Sequence, residues 1–504
     1  MQGAMHRAMS LVPGDYIAGK LETPAQPDGE IDDFSPADLH DVIGRYAYGK
    51  AQLERAIDAA RHAQRGFRKL GRASRSALLR TYQARLGAHA ESLAHTIARE
   101  VGKPLWEARL EVASMISSID VAVGEAARFT EDEVLGDVPG EIRRRPIGVL
   151  AVIGPFNFPA QLPNAQIVAA LFTGNCVIFK PSEKAPATGV WMARCFDEAG
   201  FPPGSIQVVQ GTGDVAATLV AHPGIDGVLF TGSLAAGRKI LAATAHTPGK
   251  LVQLELGGKN ASIVLDDCDL ERTVRDLAFS AFATAGQRCT ATSRVVVQRG
   301  VADQLCARLK VAAERLVVGH PLDPSVFMGP LISDAARANL VAAQESARNA
   351  GFEALAPGGI TEVPGKRGWY VRPAVHRAPS GACYAPGYTN TELFGPDLAV
   401  HVVADAAEAL AIANDSSFGL ACAVYTASRE RFEELADELS VGVVHWNRSS
   451  AGASPRLPFG GIKNSGNHHP AGLLAGSQCM YPLAVLLPSP TPGPLPTWPG
   501  LALD

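Results

Sequence analysis

Gly227-Val-Leu-Phe-Thr-Gly-Ser-Leu-Ala-Ala-Gly-Arg238 decides the fold. A short apolar run, Gly227–Phe230, meets a glycine turn at Gly232-Ser233 and gives way to an alanine-rich helical stretch. A strand that turns into a helix points free backbone N–H groups and the helix dipole at whatever lies above the strand, which suits a phosphate. Taken alone, such a turn is more often only a turn, and the G-x-G-x-x-G spacing is not met. Its neighbours make it decisive. Short β-prone runs at Cys176–Phe179, Ile206–Val209 and Leu251–Leu254 alternate with alanine-rich helical stretches, and this alternation predicts an α/β fold with a parallel, doubly wound sheet.

Working outward, the same alternation resumes after Gly258, with strand candidates at Ser262–Leu265, Arg294–Gln298, Leu398–Val403, Ala421–Tyr425 and Val441–His445. A second α/β domain is the economical explanation. Upstream, from Ala51 to about Phe129, apolar residues recur at helical spacing, as in Leu53, Ile57 and Ala60, which predicts a helical layer. Glu141–Ile153 then turns β-like. At the far end, Tyr481–Leu487 reads as a strand, and the six prolines of Pro488–Pro499 predict an extended tail, since proline continues neither a helix nor a central strand.

Composition limits the function classes. With 504 residues, 47% hydrophobic and 19% charged, the chain has material for two or three packed domains and falls outside disordered and coiled-coil compositions. A formal charge of -4 supplies no general electrostatic reason to bind nucleic acid or an anionic membrane. The eight cysteines never stand two or three apart, so zinc-ribbon and thioredoxin-type spacings are missing and reduced thiols are expected. The first residues lack an apolar leader core, and no run of about 20 apolar residues follows. A cytoplasmic protein with no metal centre is the expectation.

Several segments offer chemistry. Lys180-Pro-Ser-Glu183 leaves a short strand, where a lysine and a carboxylate can hold ribose hydroxyls; a solvated turn is the plainer alternative. Cys289, in Gly286-Gln-Arg-Cys-Thr, follows a helical stretch and can meet a ligand, although most cysteines are buried and inert. Glu255, in Leu254-Glu-Leu-Gly-Gly-Lys259, enters a Gly-Gly turn from a strand. Asn157 carries an amide in the rigid loop Gly154-Pro-Phe-Asn-Phe-Pro159, where a turn-forming role is equally open.

The constellation says more than its parts. Pro155-Phe-Asn-Phe-Pro, Lys180-Pro-Ser-Glu, Phe230-Thr-Gly-Ser, Glu255-Leu-Gly-Gly-Lys, Gly286-Gln-Arg-Cys, Glu392-Leu-Phe-Gly-Pro and Pro458-Phe-Gly-Gly resemble, in order and spacing, the motifs of the aldehyde dehydrogenase superfamily, from about Asp15 to the C-terminus. The resemblance implies NAD as cofactor, Cys289 as nucleophile, Glu255 as the base that activates water, and an oxyanion site made by the Asn157 amide and the Cys289 N–H. It further implies that Lys180 and Glu183 hold the adenine ribose, Gly232 and Ser233 the pyrophosphate region, and Glu392 and Phe394 the nicotinamide ribose and ring, with Lys259 and Asn260 structural. The implied architecture is an NAD-binding domain over 1–130 and 146–256 and a catalytic domain over 257–446. An oligomerisation hairpin and tail over 131–145 and 471–504, and a loop region at the site mouth over 447–470, complete it. An edge strand of that kind is a liability in a monomer, so a homodimer or homotetramer is expected.

Within the superfamily, Gly286-Gln-Arg-Cys-Thr, Val444-His-Trp-Asn-Arg448, Ser465-Gly-Asn-His-His-Pro470 and Cys479-Met-Tyr-Pro482 look most like the N-succinylglutamate 5-semialdehyde dehydrogenases of arginine degradation. The chain departs from that pattern at His469, at Leu473-Leu474 and in the loop Ser449–Leu457. A substrate of that type presents carboxylates, and an arginine fork binds a carboxylate bidentately. Arg448 is the preferred partner, with Arg456 as a possible second charge. Arg288 is a further candidate that could equally be a structural ion-pair partner. Two alternatives stand beside this reading: a dehydrogenase for another small or acidic aldehyde, and a non-catalytic member of the superfamily.

Overall fold

The computed structural model describes residues 14–136, 139–379, 385–488 and 498–500. The expectations for the first ten residues and for the proline-rich tail lie outside them, apart from Pro488, Trp498 and Pro499.

The first sheet has seven strands in the order Leu251–Glu255, Gly227–Thr231, Val149–Ile153, Cys176–Lys180, Ile206–Val208, Asp15–Ile17 and Lys20–Glu22. The first five run parallel, and the last two are antiparallel additions. Every residue of Val149–Ile153 and Cys176–Lys180 is buried, because helices cover both faces of a parallel sheet and leave its strands continuously apolar. The chain runs outward from Val149–Ile153 through Cys176–Lys180 to Ile206–Val208, then returns to place Gly227–Thr231 on the other side of Val149–Ile153. The reversal creates a crevice above the carboxyl ends of these two strands, the place where doubly wound sheets bind ligands.

The second sheet also has seven strands, ordered Glu353–Pro357, Ala374–Arg377, Asp397–Val403, Thr292–Gln298, Asn260–Val264, Ala421–Tyr425 and Val443–Trp446. All are parallel except the first. The helical layer consists of Lys50–Lys69, Arg72–Ala88, Ala90–Val101 and Leu105–Val123. The first of these buries Leu53, Ala56, Ile57 and Ala60, the spacing of one helix face, and joins the core of the first sheet.

Glu133–Leu135, Gly140–Pro146 and Met480–Leu486 form a separate three-stranded antiparallel sheet, within one residue of the expected C-terminal strand. An antiparallel ribbon, Gly29–Ser35 with Asp38–Tyr48, has no counterpart in the sequence reading. Its first strand alternates exposed and buried residues through Glu30-Ile-Asp-Asp-Phe, and so many acids disguise the period-two pattern. Among the described residues no helix is long and apolar enough to cross a membrane.

Candidate active site

The helix Leu270–Phe282 ends in an unusual turn. Thr284 and Ala285 adopt φ of 55° and 54°, and Gly286 continues at 67°. A Cβ on Gly286 would lie 2.2 Å from the Gly395 carbonyl oxygen, so both conformation and space demand glycine. Gln287, Arg288 and Cys289 follow this turn, and Gln287 meets the loop after Val149–Ile153 of the first sheet through Asn157. Asn260 fixes the exit of the loop, since its amide donates to the carbonyls of Cys289 (2.7 Å) and Ala291 (2.9 Å) while its Oδ1 accepts from the Ala421 N–H. The structural role expected of Asn260 is thereby given a geometry.

Asn157 lies in the loop after Val149–Ile153 and is 4% exposed. Its Nδ2 donates to the Gln287 carbonyl at 2.9 Å, which joins the loop from the first sheet to the cysteine loop of the second. An amide nitrogen carries two protons, so one remains for a ligand. Cys289 reaches the surface only in part. Burial, followed by the negative charges of Glu392 and Glu255, pushes its thiol up to about 12. The resting sulfur is therefore protonated, and two carboxylates act on it electrostatically.

Glu255 ends the strand Leu251–Glu255, 5% exposed, and among the described residues neither carboxylate oxygen makes a hydrogen bond of ordinary geometry, the Ala471 N–H being the one backbone donor near enough to act on it. Burial raises its pKa well above the ordinary carboxylate range. A buried carboxylate with so few donors is costly; the residue borders a cavity of about 270 Å³ lined also by Gly460, Gly461, Asn467 and His469, while its two carboxylate oxygens are themselves buried. The Ser465–Pro470 segment closes this side. Asn467 accepts from the Leu254 N–H and donates to the Val252 carbonyl, so that its side chain continues the sheet ladder. Gln253 donates to the His469 carbonyl, and the ring of His469, where the chain departs from the expected pattern, bonds to Gln478.

Glu392 accepts from the Gly258 N–H at 3.0 Å, and burial raises its pKa to about 7. A Cβ on Gly257 would fall 1.9 Å from a Glu392 carboxylate oxygen, so the Gly-Gly turn after Glu255 exists to admit this side chain. Phe394, at φ 50°, meets Phe156 edge-on with centroids 5.8 Å apart.

The residues expected to hold a dinucleotide stand at the carboxyl ends of the first sheet. Lys180 is buried, and its Nζ donates to the carbonyls of Pro181 and Gly211, both at 2.6 Å. An ammonium has three donors, so one is left for a hydroxyl. Burial pulls its pKa down to about 8 against the opposing pull of Glu183 and Asp214. Glu183 is exposed. Gly232 donates its N–H to the Glu255 carbonyl, and Ser233 caps the helix Leu234–Thr244 by accepting from the Ala236 N–H. A buried lysine with a spare proton, an exposed acid beside it, a helix N-terminus at the switch point and the uncommitted oxygen of Glu392 fit the ribose and phosphate groups of a dinucleotide.

The arginines separate. Arg288 turns inward: Nε donates to Thr284 Oγ1 at 2.8 Å, the guanidinium pairs with Glu107 at 3.6 Å, and it packs over Phe158 and Phe279. Of its two expected roles, the structure displays the ion pair. Arg456 pairs with Glu125 at 3.1 Å. Arg448 is exposed, with its carbonyl held by the Tyr425 hydroxyl. Two residues on, Ser450 donates to the Thr290 carbonyl at 2.8 Å, tying this loop to the residue after Cys289. Sequence reasoning passed over Gln287, Glu107 and Glu111, whose partners come from distant segments.

Two parallel sheets meeting at a cysteine loop, with a dinucleotide crevice at the switch point of the first, are the architecture of a dehydrogenase. The chain belongs to the aldehyde dehydrogenase family, whose model matches residues 23–482. The N-succinylglutamate 5-semialdehyde dehydrogenase of Chromobacterium violaceum is 39% identical over 488 residues, covering 94% of this chain and 96% of the relative. Among solved structures, an NAD-dependent aldehyde dehydrogenase from Sinorhizobium meliloti superposes with a TM-score of 0.91 at 31% identity, covering 96% of each chain. The 1-pyrroline-5-carboxylate dehydrogenase from Thermus with bound NAD gives 0.88 at 33% identity, over 94% of this chain and 92% of its own.

Proposed function

We propose that the chain oxidises N-succinylglutamate 5-semialdehyde to N-succinylglutamate with NAD, a step of arginine degradation, through a thioester on Cys289. One observation supports the mechanism: the partly exposed Cys289 lies close enough to the buried Glu255 for that carboxylate's charge to act on its thiol, and the Asn157 amide is hydrogen-bonded to the same cysteine loop. The sulfur attacks the aldehyde carbon and its proton passes to water. The alkoxide that forms accepts hydrogen bonds from the second Nδ2 proton of Asn157 and from the Cys289 N–H, the donors this reading assigns to the developing charge. NAD, when bound, supplies an acceptor for the hydride leaving the sulfur-bound carbon. Glu255 then removes a proton from a water, the resulting hydroxide adds to the thioester carbon, and the C–S bond breaks to give the acid and, once the sulfur regains a proton, the free thiol.

Lys180 and Glu183 hold the adenine ribose, Gly232 and Ser233 the pyrophosphate, and Glu392 with Phe394 the nicotinamide end. Glu183 favours NAD over NADP, since a carboxylate accepts ribose hydroxyls and repels a 2′-phosphate. The similarity to the Chromobacterium enzyme supports the substrate, and Arg448 is the carrier of its carboxylate contact because its guanidinium makes no ion pair among the described residues while its loop is tied to Thr290. Segments 1–130 and 146–256 serve as the NAD-binding domain, 257–446 as the catalytic domain, and 447–470 as the site mouth. The hairpin 131–145 and tail 471–504 pair with a second copy in a homodimer or homotetramer, covering Val134, Tyr481, Leu483 and Leu486, all exposed in the single chain. None of the seven described cysteines is in a disulfide, which supports the cytoplasm as its compartment.

NADH formation by the purified protein with a panel of aldehydes tests the reading. The succinylated semialdehyde is expected to give the highest kcat/KM, and a higher value for hexanal or benzaldehyde rejects the substrate while keeping the family.

A further inference from the structure

We propose that Glu107 and Glu111 are positioning residues: two carboxylates one helical turn apart that fasten the Cys289 loop and the Asn157 loop to the same helix and so set the distance between nucleophile and oxyanion donor. The inference rests on the roles proposed above for Cys289 and Asn157.

Both carboxylates project from Leu105–Val123, four residues apart and therefore on one face, and each residue is 2% exposed. Glu107 serves the cysteine side. One oxygen accepts from the Thr284 N–H at 2.9 Å, the other from Thr284 Oγ1 at 2.6 Å, and Arg288 approaches the same carboxylate. Thr284 and Ala285 occupy the left-handed region, which costs a residue with a Cβ and persists only where the surroundings impose it. Glu107 imposes it through both hydrogen bonds to Thr284, five residues before the nucleophile.

Glu111 serves the other side. Its Oε1 accepts from the N–H groups of Ala160 (3.0 Å) and Gln161 (3.2 Å), which open the helix Gln161–Thr173 three residues after Asn157. Its Oε2 pairs with Lys103 at 2.5 Å, whose ammonium sits 3.6 Å from the centroid of Phe158, and Arg288 packs on the same ring at 5.2 Å. The Asn157–Gln287 hydrogen bond closes a ring of contacts from the helix through one loop to the other and back. The two anions face two cations, so the cluster is neutral. Buried ion pairs add little net stability over apolar packing of similar volume, and a role in fixing geometry accounts for this one.

The test compares wild type, Glu107→Gln, Glu111→Gln and Glu107→Gln/Ala285→Gly in the full chain. It reads the NADH burst, kcat, the KM for NAD, and the rate at which iodoacetamide alkylates Cys289 without aldehyde. Misplacement by about 1 Å costs on the order of a hundredfold in rate, so each single variant is expected to lower burst rate and kcat on that scale while the KM for NAD stays within about twofold. Glycine enters the left-handed region freely, so Ala285→Gly should restore about tenfold of the loss in Glu107→Gln, a rescue that a merely stabilising carboxylate would not allow. A Glu107→Gln enzyme within about threefold of wild type, or a double variant no faster than the single, overturns the proposal. Should Glu107→Gln fail to fold, Thr284→Val, which removes one of the two hydrogen bonds, must slow the burst, and an unchanged burst overturns the proposal. A wild-type protein that oxidises no aldehyde defeats the functional reading instead, and an unchanged alkylation rate in Glu107→Gln then overturns the positioning role separately.

Discussion

Replacing Glu255 by glutamine separates the two halves of the reaction. The variant keeps shape and volume and removes the one group assigned to water activation. The first half needs sulfur, the Asn157 amide and NAD, so a burst of up to one NADH per Cys289 should survive. The second half loses its general base, whose removal is worth roughly 10²–10⁴-fold, or about 2.7–5.5 kcal/mol of barrier, so steady turnover should fall into that range. Stopped-flow absorbance of NADH reads both phases. The pH dependence gives a second arm. Burial holds the pKa of Glu255 well above its ordinary value near 4.5, and only the ionised form takes a proton. Wild-type steady turnover should therefore climb with pH through that raised pKa, and the variant should lack this limb. Stability follows with a definite sign. A carboxyl whose folded pKa is raised stabilises the fold fully only below its unfolded pKa, and this contribution is lost as pH rises through the folded pKa. The melting temperature of wild type should consequently lose ground to Glu255→Gln between about pH 4.5 and the raised value. An unaltered steady rate removes Glu255 from the mechanism. Loss of the burst assigns it to the first half as well and refutes the division of labour.

Three further outcomes follow from the same geometry. Cys289→Ala should abolish aldehyde oxidation and leave NAD binding intact by fluorescence titration, because the sulfur holds the substrate carbon and not the dinucleotide; residual turnover within about tenfold of wild type defeats the assignment. Glu183→Gln should narrow the preference for NAD over NADP in kcat/KM by removing a charge that repels the 2′-phosphate, and an enzyme already indifferent to the phosphate contradicts the role. Arg448→Ala should raise KM for the succinylated semialdehyde by about tenfold or more, the scale of a charge-assisted hydrogen bond, with little change for a neutral aldehyde of similar length; equal effects on both place the carboxylate contact elsewhere.

Strands and chemistry were legible to different depths. Most interior strands of both sheets were readable because a strand covered on both faces must be apolar, and Cys176–Phe179 states this in four consecutive residues and Ala421–Tyr425 in five; Ala374–Arg377, also interior, was not, its Ala-Val-His-Arg being too short and too polar to stand out. The ribbon Gly29–Ser35 and the edge strand Glu353–Pro357 were not, since one face meets water and their acids and alanines hide the period. Of the site, the residues that would touch ligands stood in short glycine- or proline-flanked motifs and could be named from the sequence. Those that aim them could not. Glu107 and Glu111 read locally as two acids on an ordinary amphipathic helix, and their partners Thr284 and Ala160 lie 177 and 49 residues away. The left-handed Thr284-Ala285 pair carries no glycine to announce it. A motif shows which atoms react, because the reacting atoms lie together in the chain, whereas the distance between Cys289 and Asn157 is set by hydrogen bonds across three separate elements, and no local pattern of sequence encodes it. If Glu107 and Glu111 set that distance, as proposed, their substitution should change rate before it changes affinity for NAD.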